Sequence, residues 1–476
     1  MTISNWNGSN RCAPAAIAVP CDPIELAKIV RDTVAYPSPV RAVGELHSLN
    51  ESIETDGTAV FMTHFKDIGE PRAGRITVGA GVRMIDLNNE LKKHGLQLPV
   101  VPEIGNATAG SVACCGTKDS SLGLRGRGQI SSTVVGVRMV LANGVDRGYT
   151  SENDLQIIRS SYGMLGIIYA VTFEVETRKK VWYEYDLLKL DRWLRTGDPL
   201  PAPDSEDILK GAAGFLGFLL PYRRELIVER RRLAEDRPRM TLRGRRPTLA
   251  HEPRWLDRLK LGLRTFAWRW GARPFNSLLR WLPKRPRRFV LNVWISILDR
   301  GFLRLFFMKY LGKFESYRAD AMIDFKRPVS SYFDFTFWAF PVSSWGRVVP
   351  AYFEFCERFL RETRFRPALP TEVYFIRQDD AALLSFSAGE DIFTLDMVNW
   401  SDDEPEWWAA MNREFCQFAA QHGGRPLLNQ TKGLTPAVAD RLHRDRPAPW
   451  RALASARADW DPDKRFLTPF LRDLLP

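Results

Sequence analysis

The sequence predicts an α+β protein, and three observations predict it. Short strands and helices follow one another up to about Arg178. Beyond that point aromatic residues become frequent, and Ser331 to Phe340 (SYFDFTFWAF) alternates as a half-buried strand does. The C-terminal part reads as helical. A chain of 476 residues holds two domains, or one domain with a large insertion, each with its own core.

The elements follow from spacing. Pro23 to Val34 carries Ile24, Leu26, Ala27 and Val30 at helical intervals. Val40 to Val43 and Arg75 to Val78 are short strands. Met84 to His94 is an amphipathic helix with Leu87 and Leu91 inward and Gly95 as its stop. Thr133 to Leu141 alternates as a strand into an Asn143-Gly144 turn, a hairpin signal. Leu165 to Val175 is a β run. The Arg-rich stretch 229–253 reads as a flexible loop. Pro350 to Arg364 reads as a helix with its proline in the first turn, where the missing N–H costs nothing. It offers Phe353, Phe355, Cys356 and Leu360 to a core. Glu372 to Arg377 and Ala381 to Ser387 read as a strand pair around Gln378-Asp379-Asp380. Trp407 to Gln421 is a helix stopped by Gly423-Gly424.

Composition excludes several classes. Six cysteines with no CxxC do not make a disulfide scaffold or a zinc ribbon, and no metal site is expected. Met1 to Pro20 has no basic leader followed by an apolar run, and no apolar stretch reaches a membrane span. A cytoplasmic location is the expectation, with peripheral contact on the inner membrane face as its refinement. The net charge is +12, yet residues 221–300 alone carry 22 Lys and Arg against 7 Asp and Glu. Such a block attracts an anionic partner, or else is a solvated basic face.

Three segments place small residues just after a strand: Gly44-Glu45-Leu46-His47-Ser48, Thr108 to Thr117 (TAGSVACCGT), and Tyr162 to Ile168 (YGMLGII). Small residues let the backbone approach a ligand, and free N–H groups bind phosphate oxygens. None is a Walker loop or a GxGxxG. Singly each is an ordinary turn; their order and spacing are more specific.

In that order, VRAVGELHSLNES, Thr55-Asp56-Gly57, TAGSVACCGTKDS and YGMLGIIYAVTFEV match motifs of one family. So do EVYFIRQDDAALLS, GGRPLLNQTK and DPDKRFLTPFL near the far end. The chain resembles the FAD-dependent oxidoreductases of the vanillyl-alcohol-oxidase type with a PCMH flavin domain, most closely the sugar-lactone and alditol oxidases. The match covers roughly residues 5–178 and 371–476. The resemblance implies a two-subdomain PCMH-type FAD-binding domain over 1–178. It implies a cap domain with an antiparallel sheet and helices over 179–425, which holds a basic helical insertion at about 240–312. Residues 426–476 return to the flavin domain.

It also implies roles. Gly44, Glu45, Leu46, His47 and Ser48 would wrap the FAD pyrophosphate, and His47 would either bond covalently to the flavin or hydrogen-bond beside it. Thr108, Gly110, Ser111, Cys115, Gly116 and Thr117 would line the pyrophosphate and ribityl chain. Gly166 and Ile168 would hold the cofactor through backbone contacts. Cys114-Cys115 reads as packing rather than as a redox pair. Four departures from the family pattern stand out: Lys118 replaces a His, Tyr374 an Arg, and Leu427 and Gln430 a His and a Lys. Lys432, two residues on, is the candidate replacement for that missing Lys. Glu372 is the candidate carboxylate facing the flavin, or else a strand-edge partner of Arg377. Glu372, Tyr374 and Lys432 are therefore the candidate catalytic residues. Exchanging polar contacts for Leu and Tyr favours an apolar substrate.

Arg254 to Trp270 carries Trp255, Leu259, Leu263, Phe266 and Trp270 on one helical face. Phe275 to Leu282 and Gly301 to Leu311 add apolar residues, with Lys284, Arg285, Arg287 and Arg288 between them. Trp beside Arg is what a helix at a membrane interface shows, so residues 254–311 are expected to meet an anionic membrane. The alternative is packing on the cap sheet. No nucleic-acid motif is present. The combined expectation is an FAD-dependent oxidoreductase acting on a lipid or lipid-linked substrate, such as a fatty acyl chain or a polyprenyl-linked sugar. The alternatives are a soluble sugar-lactone or alditol oxidase, and a non-catalytic basic membrane-binding module.

Overall fold

The computed structural model describes all residues except 119–125, 197, 235–253, 271–283, 325–332, 401–403 and 476. Strands Ala16–Ala18 and Val40–Val43 pair in parallel on either side of Thr58–Phe61. Parallel neighbours need a crossover, and helix Pro23–Arg31 supplies it. Asp22 caps that helix by accepting from Glu25 N at 2.8 Å. A second sheet runs Arg75–Gly79, Ile167–Glu174, Val134–Val140, Asp146–Tyr149, all antiparallel. Asn143-Gly144 makes the expected hairpin turn, and Gly144 takes the left-handed conformation (φ +76°) that a side chain resists. Helix Met84–Lys93 buries Met84, Leu87 and Leu91.

The third sheet has eight antiparallel strands in the order Lys313–Tyr317, Lys180–Lys189, Glu225–Leu233, Gly214–Leu220, Thr371–Ile376, Ile392–Thr394, Trp338–Pro341 and Arg425–Pro426. Gly214–Leu220 (GFLGFLL) is buried along its whole length, as an apolar run without alternation requires. Phe333–Thr336 and Met397–Trp400 form a separate pair. The chain's end returns to its beginning: Val40 N donates to Arg465 O, and Leu49 N to Asn429 O.

Several expectations fail for physical reasons. The stretch 229–253 is not a loop at its start: Glu225–Leu233 is a strand in which Glu229, Arg230 and Arg231 are buried. Residues 235–253 lie outside the described residues, as do Phe275 to Leu282, Ser331 and Tyr332. Phe333 to Phe340 is two strands in different sheets, not one. Pro350 sits inside helix Trp345–Thr363, since burial of Trp345, Val348 and Val349 extends the helix before it at the cost of one backbone bond. Ala381 to Ser387 is not a strand: Asp379 accepts from Ala381 N, and Ser385 Oγ from Ser387 N, which satisfies the backbone locally.

Candidate active site

One cleft of about 1890 Å³, counting its mouth, is lined by all three glycine segments. Gly44 to Ser48, Thr108, Gly110, Ser111, Cys115, Thr117, Gly166 and Ile168 all face it. The first two segments touch closely. A Cβ on Gly44 would stand 2.4 Å from Thr108 Oγ1, so only glycine lets them meet. Thr108 Oγ1 and Ser111 Oγ lie 2.9 Å apart, paired across the first turn of helix Ala109–Cys114. Leu46 adopts φ +57°, a left-handed conformation that its side chain opposes, and is held there by burial beside Ile3, Val43, Ile53 and Ala59. His47 lines the cleft with its ring 5.5 Å from that of Trp6. Gly116 does not line it: a Cβ there would meet Gln129 Oε1 and Leu427, so this glycine serves core packing. Cys114 and Cys115 have their sulfurs 3.9 Å apart, well beyond a disulfide bond.

At the other end of the cleft, strand Thr371–Ile376 presents Glu372 and Tyr374 two residues apart, on one face. Tyr374 Oη donates to Glu372 Oε2 at 3.1 Å. Burial pushes the Glu372 carboxyl up, against the pull of Lys118. It pushes the Tyr374 phenol up strongly, and Glu372 adds to this. Arg377 is not the partner of Glu372; it pairs with Asp391 at 2.7 Å. Lys118 lines the cleft beside this pair, ion-paired with the buried Asp396 and 4.2 Å from the centre of the Tyr374 ring. Burial lowers Lys118 to about 8, against the nearby carboxylates Glu372 and Glu103. Apolar side chains also line the cleft, Leu216, Ile323, Phe333, Phe335 and Val398, beside the charged Glu103 and Arg264.

Lys432 is elsewhere. Its Nζ pairs with buried Asp334 at 3.1 Å and does not face the cleft. Leu427 and Leu428 are buried in the core and leave the cleft to Asn429 and Gln430. They therefore do not supply the apolar lining of the cleft; Leu216, Ile323, Phe333, Phe335 and Val398 do.

A buried charge network backs the cleft. Glu103 faces Arg231 at 2.9 Å, Arg318 at 3.3 Å and Arg264 at 3.4 Å. Burial alone would raise its carboxyl, but the three guanidinium groups outweigh burial and hold it well below the ordinary range. Arg264 comes from helix Arg254–Trp270, whose orientation is the reverse of a soluble helix. Lys260 and Arg264 are buried, whereas Trp255, Leu259 and Phe266 are 64%, 48% and 60% exposed. Lys260 Nζ donates to Lys313 O at 2.8 Å. The helical run from Lys284 also faces two ways. Leu291 and Ile295 pack on Trp6, Phe333 and Val398, three cleft residues, while Phe289, Val293, Ile297, Phe302 and Tyr310 are exposed. Arg288 is held by Glu404 at 2.7 Å. No helix among the described residues is long and apolar enough to cross a membrane.

Residues 14–145 match the FAD binding domain family. The matched stretch holds the Gly44 to Ser48 and Thr108 to Thr117 segments. The chain is an FAD flavoprotein. Its fold is that of cholesterol oxidase from B. sterolicum, with a TM-score of 0.70, 14% identity, and coverage of 100% of this chain and 96% of that one. Among curated relatives, an L-gulono-1,4-lactone dehydrogenase of Mycobacterium tuberculosis is 28% identical over 246 residues, covering 50% of this chain and 54% of the relative. A long-chain alcohol oxidase from an uncultured marine euryarchaeote is 28% identical over 249 residues, covering 50% and 47%. The flavoprotein thus spans about half the length of the curated relatives it matches. The cradle fits FAD: glycine-built loops bring backbone and the Thr108 and Ser111 hydroxyls to one side, and apolar walls suit a flat ring at the other.

Proximity in the fold also gave the cleft residues that sequence reading did not assign: Arg41, Glu103, Lys118, Arg264, Asn429 and Gln430. Lys118 had a signal, since it stands at a polar position of a matched motif. Glu103 and Arg264 had none, because they meet only through the third sheet.

Proposed function

We propose that the flavoprotein is an FAD-linked oxidoreductase that oxidises a hydrophobic, lipid or lipid-linked substrate at a membrane surface. The observation that carries this reading is the pairing of a carboxylate with apolar walls. Glu372 faces a cleft end formed by Leu216, Ile323, Phe333, Phe335 and Val398. FAD, when bound, accepts a hydride from the substrate carbon. Glu372 is placed to take the hydroxyl proton, the raised carboxyl being closer to the pKa a general base needs near neutrality. The apolar walls keep water from the reacting carbon and hold the substrate body. We also propose His47 as the site of any covalent bond to the flavin. His47→Ala should release to the supernatant whatever colour the acid-precipitated wild-type protein retains.

Membrane contact is supported by the outward apolar faces of Arg254–Trp270 and of the run from Lys284, which meet near 306–311. A soluble surface does not usually expose so many aromatic residues together. Exposed Arg258, Arg300 and Lys309 lie among them, each worth roughly 1 kcal/mol near anionic lipid. The long-chain alcohol oxidase relative supports a lipidic substrate. A second reading, oxidation of a sugar lactone, is favoured by Asn429 and Gln430 in the cleft and by the lactone dehydrogenase relative.

The test is dye reduction and peroxide release with a long-chain alcohol and with a sugar lactone. It is run beside flotation on vesicles of anionic phospholipid. Turnover of the alcohol and loss of flotation in Trp255→Ser/Phe266→Ser are expected. Lactone turnover without flotation overturns the lipid reading.

A further inference from the structure

We propose that Lys118 is a positioning residue that keeps Glu372 ionised, so that Glu372 is ready to accept the substrate proton. This rests on the oxidoreductase reading above, and the infrared measurement below separates failure of one from failure of the other.

The argument begins with the strand. Glu372 and Asp396 face each other across an antiparallel bridge, each N–H donating to the other's carbonyl at 2.9 Å. Two carboxylates side by side in a buried site repel, and one of them protonates unless a cation intervenes. Lys118 is that cation. It arrives from the loop after helix Ala109–Cys114, pairs with Asp396, and sits over the Tyr374 ring, whose hydroxyl is bonded to Glu372. The Phe337 ring centre also lies 5.0 Å from Lys118 Nζ. An ammonium held between a carboxylate and an aromatic face cannot swing out to water without losing both contacts.

Other charged groups also face Glu372. Glu103 favours its neutral form, and Arg264 favours its ionised form from helix Arg254–Trp270. Arg231, on strand Glu225–Leu233, acts on Tyr374. These two arginines are spent on Glu103 and Glu229. Of the cations facing Glu372, Lys118 acts on it most strongly, ahead of Arg264. The arrangement also accounts for Tyr374: an arginine at that position would place a guanidinium against the Lys118 ammonium.

The experiment uses the full-length holoenzyme. In Lys118→Met the acid limb of the kcat/KM profile should move up by at least one pH unit, a loss of about tenfold per unit on that limb. A protonated-carboxyl stretch should appear in the infrared spectrum at neutral pH, without any substrate, and vanish in Lys118→Met/Glu372→Gln. Lys118→Arg should restore the wild-type limb. Lys118→Met leaves Asp396 buried without its ammonium, so Lys118→Met/Asp396→Asn serves as the second variant; with the neighbouring carboxylate gone, burial and Glu103 should still shift the limb upward, by less than in Lys118→Met. An unmoved acid limb, or no carboxyl band in either folded variant, overturns the proposal. A band without any turnover of alcohol or lactone would leave the role of Lys118 standing and remove the oxidoreductase reading.

Discussion

Arg264→Met tests how the inverted helix is docked. Arg264 sits 3.4 Å from Glu103 and 3.5 Å from Glu229, and is almost wholly buried. At an effective dielectric near 20, each contact at this range is worth about 4 kcal/mol. Repulsion from Arg231 and the lost hydration of the guanidinium offset most of that. Removing one member of a buried ionic network costs about 3–5 kcal/mol. Both carboxylates keep Arg231, and Met preserves the stem's packing, so the lower end, about 3 kcal/mol, is expected. The loss depends on pH, and its sign follows from Glu103. Its folded carboxyl is held below the ordinary value of about 4.3. The stability this contributes is present above the unfolded value and is lost as pH falls through the folded one. Arg264→Met raises the folded value, so the gap between wild type and variant is largest at neutral pH and narrows below about pH 4. Urea unfolding at both pH values measures it. An equal gap at both would mean that Arg264 acts by packing alone, and no gap would mean that the helix is not held through Arg264.

Three further outcomes follow from the cleft. Leu46→Gly relieves a left-handed backbone worth about 1–2 kcal/mol but gives up a buried side chain worth about 1.5–3 kcal/mol, so thermal unfolding should show a net loss near 1 kcal/mol. Gly110→Ala places a Cβ 2.9 Å from that of Ala80; a loss of about 1–3 kcal/mol in unfolding and weaker FAD retention on gel filtration are expected. Lys432→Met strips the cation from buried Asp334, which keeps hydrogen bonds from Asn7 at 3.0 Å and Trp408 at 2.7 Å. The melting temperature should fall, while the pH profile of turnover stays where it is, because Lys432 does not face the cleft.

The loops that line the cleft were legible because each lies within one short segment. Gly44 to Ser48, Thr108 to Thr117 and Tyr162 to Ile168 carry their own strand, turn and small residues, and the fold only has to bring them together. The proposed catalytic end was half legible. Glu372 and Tyr374 share one strand face, and period two places them together. Lys118 and Asp396 reach them from segments 278 positions apart in the chain, by an ion pair that no local pattern encodes. The error at Lys432 has the same origin: counting along the chain put it near the flavin, but Asp334 draws it the other way. The strand at Glu225–Leu233 was misread because arginines signal solvent, and here Glu103, Asp186 and Glu229 satisfy them inside the sheet.

Helical periodicity has the same limit. It finds the two faces of Arg254–Trp270 and cannot say which one is inside. A helix on a soluble domain turns its apolar face inward because burying Trp, Leu and Phe removes about 25 cal/mol per Å² of apolar surface from water. Here the underlying layer is not apolar. It holds Glu103 and Glu229, whose burial demands cations, and Arg264 adds its charge to those that Arg231 and Arg318 already supply. The charged face is therefore drawn in and the apolar face is left out. That apolar face makes sense energetically only where something other than water covers it. In the proposed membrane contact an anionic bilayer would meet both requirements: acyl chains would cover Trp255 and Phe266, headgroups would meet Arg258, and Arg264, on the opposite face, would remain in the wall of the cleft.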